Sequence, residues 1–180
     1  GEFTRDPQVM VLRLSEILSR DYNGYKVAML FLDSAGIAGP IAHRLRTLGY
    51  RNVQEVNFGA DSPDRKFRFY RDFMWGQMKD WLMNAAIDDH PELEADLVGP
   101  GTRPDSQQRV WLESKEDMKK RDVDSPDDGD ALALTFALLL ALALLFAGAG
   151  AGPTQTLTFV HHDLAGSPVA ATDASGAVLW

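Results

Sequence analysis

Residues 25–58 of this chain read YKVAMLFLDSAGIAGPIAHRLRTLGYRNVQEVNF, and their pattern sets the fold class. The run VAMLFL is short, continuous and apolar, as is typical of a strand buried in a parallel sheet. Gly36 and Gly39 allow a tight turn, Pro40 suits the first turn of a helix, and Gly49 ends that helix. The segment NVQEVNF then alternates like a second strand. A strand, a helix and a strand in this order predict an α/β fold.

Helical patterns flank this unit on both sides. Residues 7–19 carry apolar side chains mostly on one face, which predicts a helix. Residues 67–86 form a longer amphipathic pattern with an aromatic stripe. Packing against the sheet explains the helical spacing of that stripe, and a base-stacking surface is the alternative. Farther along the chain, residues 99–108 predict a loop and residues 109–113 a short strand.

The composition describes a globular chain of 180 residues with 45% hydrophobic and 24% charged residues. Its formal net charge of −8 argues against holding nucleic acid by bulk charge, although bound metal would offset local carboxylates. Cysteine is absent, which excludes disulfides, thiolate metal sites and a cysteine nucleophile. We expect residues 1–3 (GEF) to be a cloning remnant.

Two acidic motifs, nearly a hundred residues apart, contain the candidate functional residues. Asp33 directly follows the apolar strand, and Asp127, Asp128 and Asp130 open an apolar helix in SPDDGDALALTF. Asp33 lies beyond the carboxyl end of its strand, where ligands bind in open α/β sheets. Asp127 and Asp130 are three residues apart and share a face if their turn is helical. Such carboxylates could bind Mg²⁺ or Mn²⁺, and helix capping is the alternative role for Asp33 and Asp130.

A charged segment at residues 114–121, SKEDMKKR, predicts a helix with Ser114 as its N-cap. Its charges favour a solvated face. The alternative is contact with phosphate groups by four cations of this segment: Lys115, Lys119, Lys120 and Arg121.

An almost wholly apolar run covers residues 131–147, with Thr135 as its only polar residue. This length is at the lower limit for spanning a bilayer, and no Lys or Arg anchors the C-terminal side. A core helix partly covered by an oligomer partner or by the tail is therefore the favoured interpretation. A membrane span is the alternative.

The remainder of the chain predicts a Gly/Ala linker at residues 148–153 and a β-hairpin at residues 154–180. The predicted turn is DASG, between VAAT and AVLW. His161, His162 and Asp163 are metal-binding residue types, but neighbours on a strand point to opposite faces, which disfavours a shared site.

Four blocks of sequence resemble the C-terminal nuclease domain of the large terminase subunit of tailed phages. In order, the blocks are FLDSAGIAGPIAHRLRTLGY, VQEVNFG, KFRFYRDFMWGQMKDWL and WLESKEDMKKRDVDSPDDGDALALTF, all within residues 27–137. The resemblance implies a ribonuclease-H-like mixed sheet flanked by helices over residues 4–147. It also implies a metal-dependent DNA endonuclease that serves a phage DNA-packaging motor.

The family's site residues are carried over by position. Asp33 matches the second and Asp130 the third of the acids that hold Mg²⁺ or Mn²⁺, and Asp127 matches an auxiliary position near the third. Lys115 and Lys119 are the candidate contacts to the DNA backbone. The implied partners are double-stranded DNA, the portal and the small terminase, and the implied location is the cytoplasm of the host cell or of a prophage-bearing bacterium.

The sequence departs from the family pattern at its opening strands. The family's first acid precedes the block that contains Asp33, yet the residues before Tyr25 predict a helix. The GxxxxGK[ST] motif of an ATPase domain is also missing from the sequence. We therefore expect a truncated nuclease domain that has lost part of its metal coordination. The alternative is a non-catalytic remnant that forms an oligomer or binds another protein, in either case through residues 131–147.

The tail carries a second resemblance. Residues 159–180, FVHHDLAGSPVAATDASGAVLW, are similar to a single RHS/YD repeat, a β-hairpin unit of large shell-forming toxin and surface proteins. A single repeat cannot bury its own face, so the alternative is a hairpin that adds to a sheet edge. If the tail is an RHS/YD repeat, the chain is a natural or engineered fusion of a truncated nuclease with foreign sequence.

Overall fold

The first helix and the βαβ unit form as the sequence predicts. The computed structural model describes residues 6–22, 24–34, 36–87 and 89–137, and the backbone of residues 159–162 and 168–172. Helix α1 (Pro7–Ser19) begins where the side chain of Asp6 accepts a hydrogen bond from Gln8 N at 2.8 Å. The chain as described is mixed α/β, with parallel and antiparallel strands.

The βαβ unit consists of β1 (Leu30–Asp33), α2 (Ala38–Thr47) and β2 (Val53–Val56). The two strands pair in parallel, which places Asp33 opposite Val56. Strand β1 is shorter than predicted: it starts at Leu30, and residues 25–29 are not part of it. Helix α2 ends at Thr47 with Leu48 as its C-cap, and the predicted stop, Gly49, follows with a φ of +100°, the left-handed conformation that glycine adopts most easily.

Two hydrophobic cores hold the described part of the chain together. The first core joins α1 to the βαβ unit through Val11, Leu18, Ile41, Ala42, Leu45 and Val53. The second core lies under the helices that follow, and Phe31 of β1 packs against it from the sheet. Strand β1 is therefore shared between the two cores.

The second core begins with α3 (Tyr70–Leu82), which is shorter than the predicted helix at 67–86. Its first turn is fixed by Asp72, whose carboxylate accepts the backbone N–H of Phe69 at 2.9 Å and that of Leu112 at 3.0 Å. Phe69 is consequently extended, and the residues before it cannot continue the helix. As predicted for the aromatic stripe, Phe73 and Trp75 are buried by packing.

The next elements are α4 (Pro91–Val98), β3 (Thr102–Pro104) and β4 (Val110–Leu112). The predicted strand at 109–113 is confirmed as β4. The predicted loop at 99–108 is wrong in part, because β3 pairs with β4 in antiparallel register. Strand β3 has only three residues, one of them a proline, and shows no alternating pattern of its own. Its pairing with β4 could therefore not be predicted from the sequence.

The last helices of the second core are α5 (Lys115–Lys120) and α6 (Asp127–Leu134). Ser114 caps α5 as predicted, since its hydroxyl accepts the N–H of Asp117 at 3.1 Å. Helix α6 starts at Asp127, earlier than the apolar run. Asp130 is therefore inside the first turn, and its predicted alternative role as N-cap is wrong.

The start of the apolar run is buried in the second core through Leu132, Ala133, Phe136 and Ala137. Helix α6 ends at Leu134, with Thr135 as its C-cap, and residues 138–147 lie outside the described part. Over the described ranges, no helix is both long enough and apolar enough to cross a membrane. The predicted oligomer contact at 131–147 falls on residues that are described only as far as residue 137, and the predicted linker at 148–153 lies outside the described part.

The tail contains an antiparallel pair, β5 (Phe159–His162) and β6 (Pro168–Thr172), with an irregularity between His161 and His162. Strand β6 contains the predicted VAAT segment, but its described partner is β5. The predicted DASG turn and the AVLW strand fall in residues 173–180, outside the described part.

Candidate functional site

Asp130 is the centre of the candidate site because it is an acidic residue that is only 6% exposed and both of its carboxylate oxygens have hydrogen-bond donors. Its Oδ1 atom accepts hydrogen bonds from Arg71 Nε at 2.8 Å and Trp75 Nε1 at 2.9 Å. Its Oδ2 atom accepts one from Arg71 Nη2 at 3.3 Å and lies 3.2 Å from Lys115 Nζ. Each oxygen thus has two donors, as a buried carboxylate needs.

Helix α3 supplies the two inner donors. Arg71 and Trp75 are four residues apart, so they share one face of the helix. The guanidinium of Arg71 is also held by Glu113, whose carbonyl oxygen accepts a hydrogen bond from Nη1 at 3.2 Å. Neither donor was predicted from the sequence, because packing alone accounts for the helical spacing of the aromatic stripe. The feature of the sequence that could have indicated these donors is an arginine four residues before a tryptophan on the buried face of a helix.

Asp127 lies at the rim of the site. Its Oδ1 atom accepts hydrogen bonds from Ser125 Oγ at 2.7 Å and Lys115 Nζ at 2.9 Å. Partial burial alone would raise the pKa of Asp127, but these hydrogen bonds and the charge of Lys115 outweigh it and lower the pKa. Asp127 is therefore ionised at neutral pH.

Lys115 joins the two acids of α6. Burial alone would lower its pKa, but the hydrogen bond to Asp127 and the negative charges of Asp127 and Asp130 raise it. The ammonium thus stays charged between two carboxylates. Lys115 was predicted to contact DNA phosphates, whereas the structure places it on these acids. Lys119, the other predicted contact, is exposed on α5 and forms no ion pair with any described residue.

Asp33 is positioned by the sheet. It is the last residue of β1, and the ladder continues through Ser34 N, which donates to Val56 O at 2.8 Å. Helix α2 starts at Ala38 with Ile37 as its N-cap, so the alternative role of Asp33 as the cap of that helix is wrong. Helix α6 packs against β1, which brings the strand that ends in Asp33 beside the helix of Asp127 and Asp130.

A second cluster of metal-binding residue types consists of His90, Glu92 and Asp128, whose ligand atoms lie within 4.8 Å of one another. The imidazole already has a structural role, since its Nδ1 atom accepts the N–H of Leu93 at 3.3 Å and caps α4. A neutral imidazole that accepts at Nδ1 carries its proton at Nε2. The Nε2 atom then faces Glu92 Oε2 at 3.7 Å as a donor, which disfavours metal ligation.

Replacing Asp128 with asparagine is expected to stabilise the protein at neutral pH. Burial raises the pKa of Asp128, and the negative charge of Asp96 raises it further. A raised folded-state pKa means that the ionised carboxyl opposes folding. This cost is present above the folded-state pKa and disappears as the pH falls below the ordinary aspartate value of about 3.9. Denaturant midpoints at neutral and acidic pH measure the difference.

Asp124→Asn is the control for this experiment, because it makes the same charge change on an exposed residue. We expect no pH-dependent gain from it. A gain in Asp128→Asn that persists unchanged at acidic pH would contradict the electrostatic explanation.

The pair Asp127 and Asp130 has the donor set of a hard divalent cation. Lys115 Nζ occupies the bridging position between them, at 2.9 Å from one carboxylate and 3.2 Å from the other. The lysine side chain is 48% exposed and can turn outward. Mg²⁺ is commonly held by one or two carboxylates, with water and phosphate oxygens as the other ligands. Mg²⁺ or Mn²⁺ at this pair would replace the ammonium of Lys115, while Arg71 and Trp75 would still donate to Asp130.

The predicted site residues thus divide into three groups. Asp127, Asp130 and Lys115 are in direct contact, Asp33 ends the strand next to their helix, and Lys119 lies apart on the surface. No family model, no curated protein and no solved structure matches this chain.

Proposed function

We propose that this chain is a metal-dependent DNA endonuclease domain of the phage terminase type. In this proposal its fold is ribonuclease-H-like. The observation that carries the proposal is the packing of α6 against β1. The helix contributes Asp127 and Asp130 in its first turn, and the strand ends in Asp33. A parallel βαβ unit followed by an acidic helix of this kind is what the terminase resemblance implies.

Asp33, Asp127 and Asp130 are the residues that would hold Mg²⁺ or Mn²⁺ in this proposal. The metal would supply an activated water and stabilise charge on the leaving oxygen. Arg71 fixes the plane of the Asp130 carboxylate by donating to both of its oxygens. Ser125 orients Asp127 in the same way with its hydroxyl.

The proposed partners follow from the same resemblance. Double-stranded DNA is the substrate, and the portal and small terminase are the other components of the motor. The proposed location is the cytoplasm of the host cell.

A non-catalytic module is the second candidate, and the saturation of Asp130 favours it. Arg71, Trp75 and Lys115 together engage both oxygens, as in a structural ion pair. In this candidate Asp130 serves to fasten α6 to α3. The chain would then act by forming an oligomer or by binding another protein, without hydrolysing DNA.

Cleavage of supercoiled plasmid DNA in Mn²⁺ is the direct test. We expect the wild-type protein to nick plasmid, and Asp33→Asn and Asp127→Asn each to lower the rate by about 100-fold or more. The reason is that even the outer partners of metal ligands are worth about 10–100-fold. Asp124→Asn, an exposed acid shortly before α6, is the matched control and should cleave at the wild-type rate.

Metal binding by calorimetry gives a readout that does not depend on cleavage. Mn²⁺ binding that is lost in Asp127→Asn supports the proposed ligands even where the rate is low. Intact protein that neither binds Mn²⁺ nor cleaves DNA with either metal would rule out the nuclease and leave the non-catalytic module.

A further inference from the structure

Five cations gather on one surface around the antiparallel pair β3–β4. We call it the arginine surface, and its members are Arg65, Lys66, Arg68, Arg103 and Arg109. The segment 66–68 borders β4 like a third strand, because Arg68 N donates to Val110 O at 3.0 Å and Val110 N donates to Lys66 O at 2.8 Å. The backbone that carries Lys66 and Arg68 is thus hydrogen-bonded to β4.

Trp111 organises two of these cations. Arg103 is its partner in the register of β3 and β4, and Arg68 approaches from the segment on the other side of β4. Both guanidinium carbons lie 4.2 Å from the centroid of the Trp111 ring. Cation–π contacts of this kind restrict the side chains without using their N–H groups, although Arg103 Nη2 already donates to Asp117 Oδ2 at 3.3 Å.

A cleft opens beside this stack. Arg65, Arg68 and Arg109 line it together with Gln107 and Ser62, whose hydroxyl already donates to Asp64 O at 2.7 Å, and Asp61 is the one acid among its lining residues. Arg109 is held in place by Asp105, with 2.8 Å between Nε and Oδ2. The cleft therefore presents N–H donors of several arginines, one of which is held in a fixed position.

Three of the cations are not neutralised within the described part of the chain. Arg65, Lys66 and Arg68 form no ion pair with any described carboxylate. The chain as a whole carries a formal charge of −8. A concentration of unpaired positive charge on one face of an acidic protein is the electrostatic footprint of a polyanion site.

We infer that the arginine surface binds the sugar–phosphate backbone of DNA and does so without metal. Planar guanidinium groups match phosphate oxygens in pairs. The Trp111 ring already has an arginine on each side, so it is not free to stack on a base. Binding should accordingly be independent of base sequence. The inference takes DNA as the polyanion from the proposed nuclease function.

The test is fluorescence anisotropy with a labelled DNA duplex in EDTA, over a series of salt concentrations. Arg65→Gln combined with Arg68→Gln is expected to weaken binding about tenfold or more. The slope of log K against log salt should shrink by about 2, since each phosphate contact contributes about 0.9. The control pair, Arg44→Gln with Arg51→Gln, removes the same charge from exposed arginines of the βαβ unit and should alter neither quantity.

Arg65→Gln alone keeps the test usable if the double variant is unstable, because Arg65 has no ion pair or ring contact with the described residues. An unchanged salt slope, or an equal loss in the control pair, would overturn the inference. So would affinity that does not rise with duplex length and is abolished by inorganic phosphate, as expected of a site for small anions only.

The outcomes separate this inference from the proposed function. If the protein binds DNA in EDTA but never cleaves it, the nuclease proposal is wrong and the DNA-binding role of the arginine surface stands. If the protein cleaves DNA but does not bind it in EDTA, only the DNA-binding role of the arginine surface is wrong. The same conclusion follows if binding in EDTA is unchanged in the Arg65 variant.

Discussion

Asp130→Ala is expected to destabilise the protein by about 3–5 kcal/mol, because it breaks a buried ion pair from one side. The Arg71 side chain is only 13% exposed and would keep its charge without its main partner. Trp75 Nε1–H would also lose its acceptor, and a buried unsatisfied donor adds to the penalty. Denaturant unfolding, followed by circular dichroism, measures the loss.

Asp127→Ala is the matched control, since it removes a carboxylate from the same turn of α6. Both Asp127 and its partner Lys115 are about half exposed, at 54% and 48%. Ion pairs in such surroundings contribute about 0–1 kcal/mol. Equal stability of the two alanine variants would show that the Arg71–Asp130 pair does not hold α6 to α3.

This difference bears on how the nuclease is tested. Loss of cleavage in Asp130→Ala would report unfolding as readily as the loss of a metal ligand. Asp130→Asn keeps the shape of the side chain and one carbonyl acceptor, so its stability should lie between those of wild type and Asp130→Ala. Asp33 and Asp127 are for this reason the better positions for kinetic tests.

Gly76→Ala is expected to destabilise the protein by about 1–3 kcal/mol or more through overpacking. A Cβ atom on Gly76 would lie 2.5 Å from Phe67 Cε1 and closer still to Cζ. The Phe67 ring cannot simply move away, because it is 6% exposed and packs edge-on against Phe73 with centroids 5.9 Å apart. The better helix propensity of alanine, worth about 1 kcal/mol, does not offset this. Thermal unfolding measures the change.

Gly39→Ala is the control, because it makes the same substitution in the first turns of α2. A Cβ there would lie 3.6 Å from Glu55 Oε2, which is an ordinary contact. Its Tm should stay level or rise slightly, whereas that of Gly76→Ala falls. A rise in both variants would show that Phe67 does not rest against α3 in solution.

Gly76 also connects packing with the arginine surface. Phe67 lies between Lys66 and Arg68 in the chain and is buried, and Lys66 Nζ lies 5.2 Å from the centroid of its ring. The close approach of Phe67 to α3 at Gly76 therefore anchors the segment that carries two of the five cations.

Local signals predicted a large part of the fold. The order of strand, helix and strand around Asp33, the turn at Gly49 and the cap at Ser114 are all confirmed. Each depends on residues close together in the chain. Strand β3 was not predicted, because three residues that include a proline show no strand pattern. The true start of α3 was not predicted, because Asp72 in its first turn accepts the N–H of Leu112, 40 residues along the chain.

The amino-acid sequence specifies the residue types at each place: acids after a strand and at the start of a helix, and an apolar stripe on α3. Their partners depend on how the elements pack in three dimensions. Asp130 meets Arg71 and Trp75 across 59 and 55 residues of chain, and Arg68 meets Arg103 on either side of Trp111. Periodicity reports which face of an element is buried, whereas the partner of a buried charge depends on how distant elements pack.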